Sequence, residues 1–188
     1  LYTMHDPKYN YLYETEPEPF MNGRRMFCPR GKMLGGSSSH NGMVHVRGNS
    51  KDFDNWAQQG LTNWSYEKVL PYFKKSESIN GLDQEYRNSS GPLKLSRSPN
   101  GNVLTQVYLD AAQQAGYQIN NDMNGKNQEG FGLMDTTIYK GKRQSTSVTY
   151  LHPIIRRTNL EVFTNVTVNK IICENKRAIG VECKIKGT

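Results

Sequence analysis

Arg30-Gly-Lys-Met-Leu-Gly-Gly-Ser-Ser-Ser-His-Asn-Gly-Met-Val-His-Val-Arg-Gly48 is the stretch that decides how the chain is read. The adjacent glycines Gly35 and Gly36 remove side chains, so the backbone can approach a ligand closely or turn with positive φ. Ser37, Ser38 and Ser39 follow, residues able to cap a helix start and to hydrogen-bond an anion beside exposed N–H groups. Asn41 brings an amide with donors and an acceptor, next to a second permissive backbone position at Gly42. Arg30, Lys32 and Arg47 predict positive surroundings. Such a segment suits a phosphate-bearing, hydrogen-bonding ligand such as a nucleotide cofactor. The competing reading is a solvated Gly/Ser linker. Against it, the stretch runs straight into the apolar alternation Met43-Val44-His45-Val46.

Outward from this stretch the elements alternate. Tyr9 to Pro17 reads as a short edge strand. Ser50 is placed to cap a helix through Phe53, Trp56 and Ala57 that stops at Gly60. Ser65 is placed to cap a second, with Pro71 forcing a kink or break; the aromatic residues of both read as core. Residues 80–91 are polar and turn-rich, a surface connection. Pro92–Ser96 and Leu133–Tyr139 read as strands. Between them, Leu104, Val107, Tyr108, Ala111, Ala112 and Ala115 share one helical face, with Asn102 as cap and Gly116 as stop. Asn120–Gly130 is a structured turn without EF-hand spacing. Gly141-Lys-Arg143 reads as a turn, and Ser145 caps a short helix that ends before Pro153. Finally, Val166 and Val168 alternate on a strand, Glu174–Arg177 turns, and Ile179, Val181, Cys183 and Ile185 return. The fold class is mixed α/β.

Composition removes several alternatives. The 188 residues carry a formal charge of +7, but Lys and Arg are spread in ones and twos without a recognition motif, so nucleic acid is not expected as a partner. No apolar run is long enough to span a membrane. Cys28, Cys173 and Cys183 lack metal-ligand spacing. Cys173 and Cys183 could face each other across the hairpin, but free buried thiols are the default. No metal site is expected. Sequons at Asn63, Asn88 and Asn165 favour an extracellular location. The start at Leu1 and the end at Lys186-Gly187-Thr188 inside strand-like sequence lead to the expectation of a piece of a longer chain. A hydrolase elbow and a Walker loop are both missing their defining residues.

The stretch Gly31–Asn41 closely resembles the signature of the glucose–methanol–choline (GMC) family of FAD-dependent oxidoreductases, Gly-basic-x-apolar-Gly-Gly-Ser-Ser-x-apolar-Asn. His40 stands where the pattern has an aliphatic residue. The flanks Val46–Asn49, Asp52–Ala57 and Trp64–Glu77 look like its insect, glucose-dehydrogenase-like branch. The resemblance runs from about Tyr9 to Val181. It implies a Rossmann-like FAD-binding domain interleaved with part of an antiparallel substrate domain. Residues 1–91 would belong to the FAD domain, 92–140 to the substrate region, and 141–188 to the FAD domain again. It implies that Gly35, Gly36, Ser37, Asn41, Gly42 and Val44 lie against FAD, Ser37 donating to the pyrophosphate. The backbone of Val168 would meet the adenine. The implied activity is oxidation of the CH–OH group of a small alcohol or sugar by hydride transfer to flavin, with the electron acceptor undetermined. No catalytic residue is expected here, since the family's active-site histidine matches none of the four histidines. A different class stays open: a binding module that keeps the fold without redox function. An NAD-linked dehydrogenase would need a glycine-rich strand–turn–helix that the sequence lacks.

Overall fold

A computed structural model describes residues 2–97 and 102–185 of the chain. The elements run β1 (Tyr13–Glu14), β2 (Phe27–Cys28), β3 (Val44–His45), α1 (Ser50–Gln58), α2 (Tyr66–Ser76), β4 (Glu77–Ser78), β5 (Leu93–Lys94), β6 (Ser96–Arg97), α3 (Val103–Gln114), β7 (Asp135–Thr136), β8 (Ile138–Tyr139), β9 (Lys142–Arg143), β10 (Val166–Glu174) and β11 (Arg177–Ile185). They form two compact units, Leu1–His152 and Pro153–Thr188. The strand-like end expected at Lys186–Thr188 lies outside the described residues.

The first unit is centred on charge. Among the described residues, Ile79, Leu95 and Ala112 are the buried hydrophobics, whereas Arg87, Glu77 and Asn10 are the largest side chains that are fully buried. A buried ion is tolerable only when paired and hydrogen-bonded, and Arg87 is both. Its Nε donates to Glu77 Oε1 at 2.7 Å, its Nη2 to Asp135 Oδ2 at 2.8 Å, and its Nη1 to Asp122 Oδ1. Arg47 Nη2 lies 2.8 Å from Glu77 Oε1 but off the N–H axis, so that contact is ionic rather than a linear hydrogen bond. Arg97 reaches Asp135 from the open side at 3.3 Å. These partners sit on β4, β6, β7 and the 86–88 and 121–125 turns, so one cluster ties segments distant in sequence. Around it, β7 is the centre of an antiparallel sheet β3–β7–β6, while β4 and β5 pair in parallel.

Burial alone would raise the Glu77 carboxyl. The His45 imidazole at 3.4 Å, the Arg87 hydrogen bonds and the charges of Arg47 and Arg87 together outweigh it, lowering the pKa from 4.5 to about 2. The surface connection expected over residues 80–91 therefore carries the most buried side chain of the unit, Arg87, and the 120–130 turn supplies one of its partners, Asp122. Asn120 Oδ1 accepts from Asp122 N and Asp122 Oδ1 from Asn124 N, which turns the loop, and Asn124 Nδ2 then donates inward to Asp135 Oδ2.

Local expectations are met unevenly. α1 is capped by Asn49, whose Oδ1 accepts from Lys51 N at 2.9 Å, and not by Ser50, the first helical residue. Ser65 stands at the N-cap of α2 without a side-chain bond; Asp54 of α1 accepts the Tyr66 N–H instead, at 2.9 Å. Pro71 does not break α2. It is exposed, so the carbonyl it leaves unpartnered faces water. Phe53, Trp56, Trp64 and Phe73 make edge-to-face contacts, yet Trp56 and Trp64 stay about half exposed rather than core. α3 has its predicted cap, Asn102 Oδ1 accepting from Leu104 N at 2.9 Å, and its predicted stop at Gly116. Its apolar face is not packed, however: of that stripe only Ala112 is buried.

The edge strand expected over Tyr9–Pro17 reduces to Tyr13–Glu14, paired with Phe27–Cys28. The strand read at Pro92–Ser96 is divided at buried Leu95 between two partners, β5 going to β4 and β6 to β7. The strand read at Leu133–Tyr139 is divided at Thr137, whose N–H turns to Met43 O at 2.8 Å. Lys140–Gly141 makes the turn of the β8–β9 hairpin, and Arg143 is already in β9. Ser145 Oγ accepts from Val148 N at 3.3 Å, but the turn that follows, Ser147–Leu151, is π-helical, and Pro153 lies inside the next 3-10 turn instead of ending it.

The second unit is the β10–β11 hairpin. Its turn falls at Asn175–Lys176, both with positive φ, as the sequence predicts. Register slips next to Asn169 and again between Ile172 and Cys173 place Val168 opposite Cys183 and Cys173 opposite Ala178. The two cysteines therefore do not face each other, and both are exposed rather than buried. Cys28 is half-buried and free.

Candidate functional site

The signature stretch folds as one exposed loop. Gly35 and Gly36 take φ of +88° and +52°, the left-handed region where a Cβ is penalised. Gly31 is required for another reason: a Cβ there would lie 2.4 Å from the Gly36 carbonyl carbon and oxygen. Gly36–Ser39 make a single 3-10 turn. None of the three serines caps it; each hydroxyl has a separate task. Ser37 Oγ accepts from Gly31 N at 3.1 Å, drawing the two ends of the loop together. Ser38 Oγ donates to Gly35 O at 2.5 Å and accepts from Thr146 N at 2.9 Å. Ser39 Oγ donates to Leu34 O at 2.8 Å.

Ser37, Asn41, Gly42 and Val44 are exposed, and Gly35 and Gly36 half-buried. Side chains built at Gly36 or Gly42 would meet nothing within 4 Å, so space is open beside both. Asn41 Oδ1 accepts from Met43 N at 3.1 Å, holding Met43 at a φ of +63°. A non-glycine residue there costs on the order of 1–3 kcal/mol, a strain that collects at binding sites. Thr137 fixes the other end, its N–H donating to Met43 O at 2.8 Å. His40 is half-buried, and its buried Nδ1 has no hydrogen-bond partner among the described residues. Of the seven residues singled out from the sequence, five thus share one loop and Val44 opens the strand β3 that follows it. Val168 belongs to the separate hairpin, where its half-exposed side chain joins Phe163, Val166, Cys183 and Ile185 on an apolar face.

Two features were missed. Of the three positive residues expected around the loop, Arg30 and Lys32 are exposed and Arg47 is buried in the ionic cluster; the cation that bonds the loop is Arg143 from β9. Arg143 Nη1 donates to Asn41 O and Asn41 Oδ1, both at 2.8 Å, and to Ser38 O at 3.2 Å. Thr146 Oγ1 adds a bond to Gly35 O at 3.2 Å. These partners lie 102 to 111 residues away in sequence, beyond any local pattern. Gly141–Arg143 was read only as a turn and Ser145 only as a helix cap, with no role toward the loop attached to either. The other missed feature is a cleft of about 260 Å³ lined by His45, Arg47, Met123, Asn124 and Met134, against the ionic cluster. Among the described residues no three His, Cys, Asp or Glu side chains gather as a metal site, and no helix is long and apolar enough to cross a membrane.

Residues 9–188 match the GMC oxidoreductase family. The chain is 46% identical over 180 residues to the oxygen-dependent choline dehydrogenase of Sinorhizobium medicae, covering 96% of this chain and 33% of that protein. It is 46% identical over 177 residues to the mitochondrial choline dehydrogenase of Mus musculus, covering 94% and 30%. The chain thus spans about a third of the length of the curated relatives it matches. Among solved structures, an FAD-dependent oxidoreductase from Chaetomium thermophilum aligns with a TM-score of 0.86 at 25% identity, over 98% of this chain and 35% of that one. Pyridoxine 4-oxidase from Mesorbium loti gives the same score at 24% identity, over 95% and 36%, a likeness of fold. The chain belongs to the GMC oxidoreductase family.

Proposed function

We propose that the whole protein is an FAD-dependent oxidoreductase acting on the CH–OH group of a small alcohol, and that this chain supplies part of its cofactor wall. The observation that carries the reading is the 35–44 segment, in which the carbonyls of Gly35, Ser38 and Asn41 are held by Arg143 and Thr146 while the Ser37 hydroxyl and the Asn41 amide stay exposed. The residues present fit such a cofactor. Ser37 accepts the Gly31 N–H and keeps its own hydrogen for an anionic oxygen, the open space at Gly36 and Gly42 admits a ligand closely, and Arg143 adds positive charge. Ser37 would face the pyrophosphate, Asn41–Val44 the isoalloxazine end, and the Val168 backbone the adenine. When bound, FAD supplies the acceptor for the hydride leaving the alcohol carbon. Residues 1–188 are assigned binding and orienting roles, with the proton-accepting base elsewhere in the protein. On this reading 1–91 and 141–188 belong to the FAD-binding domain and 92–140 to the substrate side.

The relatives named choline dehydrogenase support an alcohol substrate and favour the flavoenzyme over a redox-silent binding module. The resemblance of residues 46–77 to the insect glucose-dehydrogenase-like branch keeps sugars beside choline among the substrates to try. The sequons, two of them at exposed Asn63 and Asn165, favour an extracellular location. The test is to purify the full-length protein, record its visible spectrum, and add choline or glucose without oxygen. Stoichiometric flavin bleached by an alcohol is expected; full-length protein without flavin would overturn the reading. Residues 1–188 alone, with part of the cofactor wall, are expected to release flavin on gel filtration.

A further inference from the structure

We infer that Arg143 is a positioning residue that sets which groups the 35–44 loop presents to its ligand; this rests on the cofactor reading above. Asn41 Oδ1 faces two donors, Met43 N–H at 3.1 Å and Arg143 Nη1 at 2.8 Å, so the network identifies that atom as the oxygen. The Nδ2 hydrogens are then what the Asn41 side chain has left to offer, and the loop meets its ligand as a donor. Arg143 also takes the main-chain carbonyls of Ser38 and Asn41, and Thr146 that of Gly35. Those three carbonyls, which would repel an anion, are thereby engaged within the protein. What stays outward is the Ser37 hydroxyl, the Asn41 amide hydrogens and the backbone at Gly42, a donor set matched to phosphate or carbonyl oxygens.

Among the described residues Arg143 has no carboxylate at ion-pair distance, and all of its hydrogen-bond partners in the loop are neutral oxygens. Its charge is therefore not cancelled locally, and it polarises the amides whose oxygens it binds. All three bonds come from the one nitrogen Nη1, so lysine at this position would keep the charge and a donor but place it on a flexible, more strongly hydrated ammonium.

The test uses the full-length protein, stripped of flavin and titrated with FAD. Arg143→Ala is expected to weaken FAD binding about tenfold to a hundredfold, the range of a charge-assisted hydrogen-bond set, and to reduce the visible circular dichroism of bound flavin. Arg143→Lys should recover part of the affinity, and added guanidinium part of that of Arg143→Ala. Asn41→Asp is the second variant. It keeps an oxygen for Arg143 and Met43 but replaces the outward donors with an acceptor, so FAD binding should fall while the melting temperature of the apoprotein holds. Wild-type protein that binds no FAD would sink the cofactor reading itself. Wild-type protein that binds FAD, with Arg143→Ala and Asn41→Asp binding it equally well and with unchanged dichroism, would sink this inference alone. If Arg143→Ala does not fold, Asn41→Asp decides.

Discussion

Two arginines organise the first unit, and they do so in opposite ways. Arg87 is completely enclosed and meets carboxylates from Glu77, Asp122 and Asp135, so its charge is balanced where it sits. Arg143 is half-buried and meets carbonyl and amide oxygens, so its charge remains to act on whatever occupies the loop. The first arrangement uses charge to fix strands against one another. The second uses charge to orient a backbone toward a ligand. Removing an arginine should therefore show as lost stability in one place and as lost ligand affinity in the other.

The largest expected effect lies in the balanced cluster. Arg87→Ala leaves the buried Glu77 and Asp135 carboxylates beside a hole, with half-buried Asp122 at its edge, a change worth about 3–5 kcal/mol, and the full-length protein should lose that much in a denaturant titration. A loss under 1 kcal/mol would mean that water reaches the cluster and that the contrast with Arg143 is false. Next comes the pH dependence of the same cluster. Glu77 titrates near 4.5 when unfolded and about 2 when folded, so its stabilisation is complete above pH 4.5 and drains away as the pH falls toward 2. That lowering corresponds to roughly 3 kcal/mol at neutral pH. Glu77→Gln should be less stable at neutral pH and should flatten stability between pH 4.5 and 2; a slope equal to wild type in that window would remove Glu77 as its source. The smallest effect belongs to the open site. Arg143→Ala should cost apoprotein stability only about 1 kcal/mol, measured in the same denaturant titration. A cost near that of Arg87→Ala would place both arginines in one structural class.

How much of this was legible beforehand follows from the same contrast. The loop could be read because glycine pairs, serines and an Asn-Gly step declare themselves within a dozen residues. The α3 cap at Asn102, the stop at Gly116 and the turn at Asn175–Lys176 were legible for the same local reason. The ionic cluster was not. Arg87 lies in a polar, turn-rich stretch, and such residues are ordinarily at the surface. Its partners are 10, 35 and 48 residues away, and only their convergence makes burial tolerable. Arg143 escaped in a similar way, visible as part of a turn but not as the partner of a loop a hundred residues earlier. The α3 stripe failed in the other direction. Periodicity tells which face is apolar but not what, within 188 residues, covers it.

The separation between Arg143 and its loop also sets a timetable. When residue 41 leaves the ribosome, the side chain that will orient it has not been made, and about another hundred residues must follow. At roughly 5–20 residues per second this amounts to about 5–20 s. Throughout that interval Ser38, Asn41 and Met43 have only local bonds to hold them, and Met43 in its left-handed conformation has little reason to stay there. A nascent chain thus carries the most recognisable stretch of its sequence long before it carries a binding site, and flavin that meets the chain early meets an unfinished loop.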